Sequence, residues 1–424
     1  MYKTLILFAV LLPSVLFAQD VDWWDKSKNE FSLSTSAELE GLAFLVNQSY
    51  DDFNGKTISL SGDITLSGNW TSIEKFNGIF DGNGHSISGL SEAGLFGSVS
   101  GQIKNLTVRA SKIKGTDSVG VLAGSFSGSI ENVIVTADTV SGSTVGGLIG
   151  YGSDTITISN SHFTGNITAN GRGGGLVGYG YNRITISDSY STGNITANGY
   201  GGGLVGSGSD YGGTITISDS YSTGNITVTD IGTGGGLVGS SGSLSITNSY
   251  ASGTATNGIA GYVPSSAEKT FIGVYYNSEG SSGAVNGTIA PGVKALSPED
   301  LKKKASFAGW DFDEIWAINE GTSYPYLISN VPKVLPGTGD NTPIFSGTPA
   351  YSPLNRATQI PNGINLQAKT NTIVEIYGLK GNLISRQNFK SGVYTISLGH
   401  LPKGMYIAKI SFGNEKKILR VPVY

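Results

Sequence analysis

Three histidines, His85, His162 and His400, and no cysteine leave this chain little to do chemistry with. The missing thiols remove disulfides, thiolate metal sites, iron–sulfur clusters and a Cys nucleophile together. The histidines lie far apart in sequence. Serines are abundant, but no Gly-x-Ser-x-Gly elbow stands between a strand and a helix, so a Ser–His triad has no frame. The glycine-rich stretches are followed by neither Lys-Ser/Thr nor a helical pattern and are not phosphate loops. The turn Asp81-Gly-Asn-Gly-His85 opens like a calcium loop yet lacks its later carboxylates and closing Glu, which makes it a structural turn. Paired carboxylates are the remaining option. Asp154, Asp188, Asp210, Asp219 and Asp230 are scattered, and Asp311, Asp313 and Glu314 read as solvated charges between tryptophans. No catalytic residue, cofactor or metal is therefore expected.

Binding is the other possibility the residue types offer. His162, Tyr190, Tyr221 and Tyr250 occupy one equivalent position, as do Asn105, Asn132, Asn160, Asp188, Asp219 and Asn248. The rings form a row on which sugars would stack if it faces solvent, or a buried stacking column if it does not. The Asn/Asp set reads as a ladder at a bend, with side chains bonding from rung to rung. Thr155, Thr157, Thr185, Thr214 and Thr216 offer a flat hydroxyl face to an ordered surface. A net charge of −4 and a pI near 5.5 supply no basic patch, so nucleic acid and anionic membrane are not expected partners.

These positions are equivalent because the chain repeats. Cores of the form Gly-Gly-Leu-Val-Gly begin at residues 93, 120, 146, 174, 202 and 235, that is 27, 26, 28, 28 and 33 apart. Ile103, Ile130, Ile158, Ile186, Ile217 and Ile246, each two residues before the Asn or Asp, keep pace with them. One unit shows three short extended runs, Gly-Leu-Val, Arg183–Ser187 and Gly193–Ala197, separated by turn formers. In Ile184-Thr185-Ile186 the alternation puts isoleucine inward and threonine outward. A near-constant period with similar strands in each unit stacks most simply in parallel, one unit per turn of a solenoid. The fold class is all-β: a right-handed parallel β-helix with short capping helices, followed by a small β-sandwich, the handedness coming from the bias of parallel crossovers.

The cores, with Ile-Ser-Asp-Ser-Tyr-Ser-Thr-Gly-Asn downstream, resemble the GLUG repeat family of bacterial surface and adhesin-like proteins. The lead-in Phe76–Leu90 and the closing Gly309–Trp316 and Tyr324–Leu327 are similar to what flanks such repeats, so the likeness spans residues 22 to 330. Val374–Leu383 and Leu401–Ala408 resemble the C-terminal sorting domain of type IX secretion. That implies recognition by the outer-membrane secretion machinery, then release or surface attachment.

The divisions expected are a signal peptide over 1–18, the capped β-helix over 19–330, a Pro/Gly/Thr-rich linker over 331–354 and the sandwich over 355–424. Lys3 precedes the apolar run Leu5 to Phe17, too short to span a bilayer, and no later segment is long enough. Leu39, Leu42, Ala43 and Val46 predict an amphipathic capping helix over 36–46, and Ser297-Pro-Glu-Asp starts a second. Trp310, Phe312 and Trp316 are expected to plug the last turn. A monomeric, secreted or cell-surface adhesin-like protein that binds polysaccharide or another cell surface follows, with no enzymatic activity. The alternatives are a carbohydrate-active β-helix enzyme, lyase or hydrolase, and a structural surface spacer.

Overall fold

A computed structural model describes residues 19–208, 213–330 and most of 356–423. The expected signal peptide and linker lie outside the described residues. The chain divides into two compact units, Met1–Gly347 and Thr348–Tyr424.

The first unit is a parallel β-solenoid of about 9 turns. Ile103 pairs with Ile130, Ile130 with Ile158, and the series continues through Ile186 and Ile217 to Ile246. The preceding rungs are Phe31, Ile58 and Phe80, so three turns precede that of Ile103. A second inner column runs Leu95, Leu122, Leu148, Leu176, Leu204 and Leu237, all without solvent exposure. Their backbones bond rung to rung, Leu148 N–H to the Leu176 carbonyl at 3.0 Å and Leu176 N–H to that of Leu204 at 2.8 Å. Parallel pairing thus turns a sequence period into columns of like side chains about 4.8 Å apart.

The turn is more finely divided than the three runs expected. Five short strands make it: Val177–Gly180, Arg183–Ser187, Tyr190–Ser191, Ile195–Ala197 and Tyr200–Gly202. Earlier turns bend without breaking, as in Phe96–Lys114 and Ala123–Gly146.

Helix α1, Ser36–Asn47, covers the first turn and buries Leu39, Leu42, Ala43, Leu45 and Val46. Thr35 and Glu38 close a capping box at its start, with Glu38 N–H donating to Thr35 Oγ1 at 3.2 Å. No α-helix forms at 297. Two 3₁₀ turns, Asp300–Lys302 and Lys304–Ser306, are broken by extended Lys303, and the chain then carries Phe307 and Trp310 onto aromatic neighbours. Tertiary packing overrides the local helix signal.

The tryptophans do not plug the last turn either. Phe271, Val274, Tyr276, Val263 and Val285 close the core there, while Trp310 and Trp316 join a separate apolar cluster with Tyr221, Tyr250 and Tyr275.

In the second unit, antiparallel sheets of three and four strands share one core that includes Ile364, Leu366, Ile376, Tyr406 and Ile410. The strand Arg356–Ile360 lies at an edge of the three-stranded sheet.

Candidate functional site

Six of the singled-out residues make the bend that follows the inner isoleucine column. Asn105, Asn132, Asn160, Asp188, Asp219 and Asn248 all adopt positive φ, between 45° and 54°, the left-handed conformation that Asn and Asp tolerate best among non-glycine residues. Asn132 Nδ2 donates to Asn105 Oδ1 at 3.0 Å, Asn160 Nδ2 to Asn132 Oδ1 at 3.3 Å, and Asn248 Nδ2 to Asp219 Oδ1 at 3.4 Å.

A second ladder that sequence reasoning missed follows at once. Ser161, Ser189, Ser220 and Ser249 have no solvent exposure. The Ser189 hydroxyl donates to the Ser187 carbonyl at 2.7 Å and accepts the Ser161 N–H at 3.1 Å, and Ser220 repeats the pattern one rung on. A hydroxyl bonded twice and shut from water holds register; it is not poised as a nucleophile.

The aromatic column comes next. His162 stacks on Tyr190 with ring centroids 4.4 Å apart, Tyr190 on Tyr221 at 4.7 Å and Tyr221 on Tyr250 at 5.2 Å, all within 9° of parallel. The chain's own segment 297–330 lies over it. Trp316 sits 6.1 Å from Tyr250 and 4.3 Å from Trp310, and the Tyr250 hydroxyl donates to the Pro325 carbonyl at 2.7 Å. Tyr221 is 8% exposed and Tyr250 1%. A sugar therefore has no access to either ring while that segment is in place; Tyr190 is partly exposed. Burial pushes the Tyr190 hydroxyl up to about 12 and the Tyr221 and Tyr250 hydroxyls further. It also pushes His162, whose Nδ1 has no hydrogen-bond partner among the described residues, down to about 4.

The remaining candidates are scattered. His85 Nδ1 lies 3.6 Å from Asp63 Oδ1, and His400 is on an exposed turn of the second unit. Asp81 Oδ1 accepts from Asn83 N–H in its own turn and from Asn105 Nδ2 on the next rung, and its Oδ2 faces Lys104 Nζ at 3.4 Å, so this carboxylate is committed to the solenoid itself. Asp154 accepts from Asn182, and Asp311 caps the N–H groups of Asp313 and Glu314. Asp210 lies outside the described residues. Glu131 extends the outward column Asp81–Lys104 by one rung. Burial raises its carboxyl above the usual range, with Lys104 opposing and Asp81 adding to the shift. Thr157, Thr185 and Thr216 stand in register on the outer face.

An outward aromatic site lies elsewhere, on the strand that leaves the Gly-Gly-Leu-Val-Gly core. Tyr151 and Tyr179 are partners on adjacent rungs and stack at 5.7 Å and 22°. The guanidinium carbon of Arg172 lies 4.6 Å from the centre of the Tyr179 ring, a cation–π contact. Tyr200 is the rung partner of Arg172, and Tyr181 is 58% exposed. The backbone places these groups together because the core turns sharply between residues 174 and 177. An added Cβ at Gly174 would lie 2.0 Å from the Val177 carbonyl oxygen, so the two strands can approach only with glycine there. The available signal was the Tyr that follows the core in Gly-Leu-Ile-Gly-Tyr151 and Gly-Leu-Val-Gly-Tyr179, where the next two copies have serine.

Comparison with known proteins bears on both units. Residues 141–168 match the GLUG motif, and residues 360–423 match a secretion system C-terminal sorting domain. The tail is thus of the type IX sorting kind, which engages the secretion machinery, and the chain is exported to the cell surface or the extracellular space. No curated protein matches the chain. A solved structure from Bacteroides ovatus, provisionally called an immunoglobulin A1 protease, is 19% identical with a TM-score of 0.47, over 72% of this chain and 93% of that one. A second, named IgA1 protease, is 21% identical with a TM-score of 0.42, over 57% of this chain and 21% of that one. Neither likeness is close enough to carry an activity across. Among the described residues no helix is long and apolar enough to cross a membrane.

Proposed function

We propose that this exported solenoid is an adhesin-like protein that binds polysaccharide on another surface, without cleaving it, through the corner formed by Tyr151, Tyr179, Arg172, Tyr181 and Tyr200. The observation that carries the reading is the partly exposed Tyr151–Tyr179 stack with Arg172 laid on it. Flat apolar faces at a solvent-facing corner, held by rung spacing and a cation–π contact, present the surface on which sugar rings pack. In the column of His162, Tyr190, Tyr221 and Tyr250, the last two rings serve instead to seat the segment 297–330. The non-enzymatic part is supported by the serine ladder, whose hydroxyls are committed to backbone, and by Asp81, Asp154 and Asp311, whose carboxylates accept hydrogen bonds from the chain's own turn or from the next rung.

The test is retention of the full chain on immobilised polysaccharides beside its Tyr179→Ala variant. Tyr179→Ala is expected to weaken retention about tenfold, the ~1–1.5 kcal/mol of one aromatic contact, with a melting temperature within about 2 °C of the parent. Unchanged retention would remove the corner from the binding surface.

A further inference from the structure

We infer that a trough across the first turns of the solenoid is a second binding site, one that takes an extended, uncharged glycan laid along the solenoid axis. The inference rests on the polysaccharide reading above and names the part of the polymer that the corner does not hold.

The trough is a shallow, open depression of about 600 Å³, and glycines make up a third of its lining. Gly78, Gly101 and Gly128 lie along it. A Cβ on Gly101 would stand 2.1 Å from the Gly78 carbonyl oxygen, and one on Gly128 would stand 1.9 Å from that of Gly101. Successive rungs approach too closely there for any side chain, so bare backbone runs along this part of the trough. Along one wall Ile79 is followed on the next three rungs by Gln102, Ser129 and Thr157, one polar group per turn, at a spacing of about 4.8 Å. At the far end the register breaks between Gly152 and Ile156, and Thr155 of the extra chain joins the lining.

Charge decides the ligand class. Lys56, in the trough, is paired with Asp51. Two residues beyond the polar wall, on the same outward pleat, Asp81, Lys104 and Glu131 follow in order, with Lys104 bonded to Asp81. Among the described residues of the trough, two lysines beside three carboxylates leave no free cation to draw in phosphates or uronates, whereas hydroxyl and amide groups beside bare backbone suit a neutral, hydroxyl-rich chain. The trough also leads to the corner. Ser127, in its lining, is two residues beyond Ser125, whose partner on the next rung is Tyr151.

The experiment is affinity electrophoresis of the full chain through gels cast with a neutral glucan, mannan or xylan, or with polygalacturonate, and titration with trisaccharides of the retarding polymer. Filling the trough with Gln102→Trp and Ser129→Trp is expected to cut retention on the neutral polymer at least tenfold and to leave trisaccharide affinity within twofold. Tyr179→Ala is expected to weaken both. Should the paired tryptophans prevent folding, as read by circular dichroism, Gln102→Ala with Thr157→Ala replaces them, with a three- to tenfold loss expected. Full retention by the trough variant beside loss in Tyr179→Ala would overturn the trough and leave the corner standing. Loss in the trough variant alone would keep the trough and remove the corner. Retention only on polygalacturonate, or on none of the polymers, overturns the assignment.

Discussion

Two aromatic columns on one solenoid meet opposite fates. His162, Tyr190, Tyr221 and Tyr250 stack at 4.4 to 5.2 Å, with Tyr221 and Tyr250 beneath the cap, and Tyr151 and Tyr179 stack at 5.7 Å, partly exposed and uncapped among the described residues. Both arise from the same cause, the parallel register that sets equivalent residues on successive rungs. What separates them is the segment 297–330, which belongs to no repeat. It finds in the longer column an apolar strip and covers it with Phe307, Trp310 and Trp316. Periodicity creates the columns, and aperiodic chain decides which of them remains a surface.

The comparison breaks most severely at Trp316, which has no exposure and contacts Tyr221, Tyr250 and Trp310. Trp316→Ala should cost about 3–5 kcal/mol. Limited proteolysis should then cut first within 297–330, leaving the coils resistant. If the cap is bound too weakly to matter, the digestion pattern and melting temperature will match the parent.

Next in size is the pH response of the longer column. The His162 pKa is lowered in the folded state from 6.5 to about 4, so between those values the unfolded chain binds the proton first. Stability is therefore complete above about pH 6.5 and falls as pH drops towards 4, by up to ~3 kcal/mol. His162→Tyr, which gives the position the residue of the next three rungs, should flatten that part of the pH–stability curve. A slope unchanged by the substitution would assign it to the carboxylates.

The smallest effect belongs to the uncapped column. Arg172→Ala removes the cation from Tyr179 and should change stability by less than about 1 kcal/mol, while weakening polysaccharide retention two- to fivefold. A stability loss as large as that of Trp316→Ala would mean that the corner, too, is structural.

The solenoid was legible because each of its columns is a period in the chain: the isoleucines, the leucines, the Asn/Asp bend and the ring column all stand where rung stacking requires. Helix α1 was legible from its apolar spacing. The cap was not, since Trp310, Phe312 and Trp316 carry no period and their apolar character suits the open end of a core as well as a strip along its side. The 3₁₀ turns at 300–306 were missed because the propensity of Pro298-Glu-Asp-Leu is a local signal and the rings beyond it are held by tertiary contacts. The corner escaped because Tyr follows only two of the six cores, and Arg172 meets Tyr179 only across the tight turn at Gly174. The trough was hidden by its composition, since bare glycine backbone carries no side-chain motif.

The most direct measurement compares the parent chain with Tyr151→Ala/Tyr179→Ala and with Tyr221→Ala on one polysaccharide panel, with new sugar ends assayed in the same wells. Retention lost in the double variant but kept, at lower thermal stability, in Tyr221→Ala, with no sugar ends released, is the predicted result. Retention unaffected by the double variant, or oligosaccharides released by the parent chain, would contradict it.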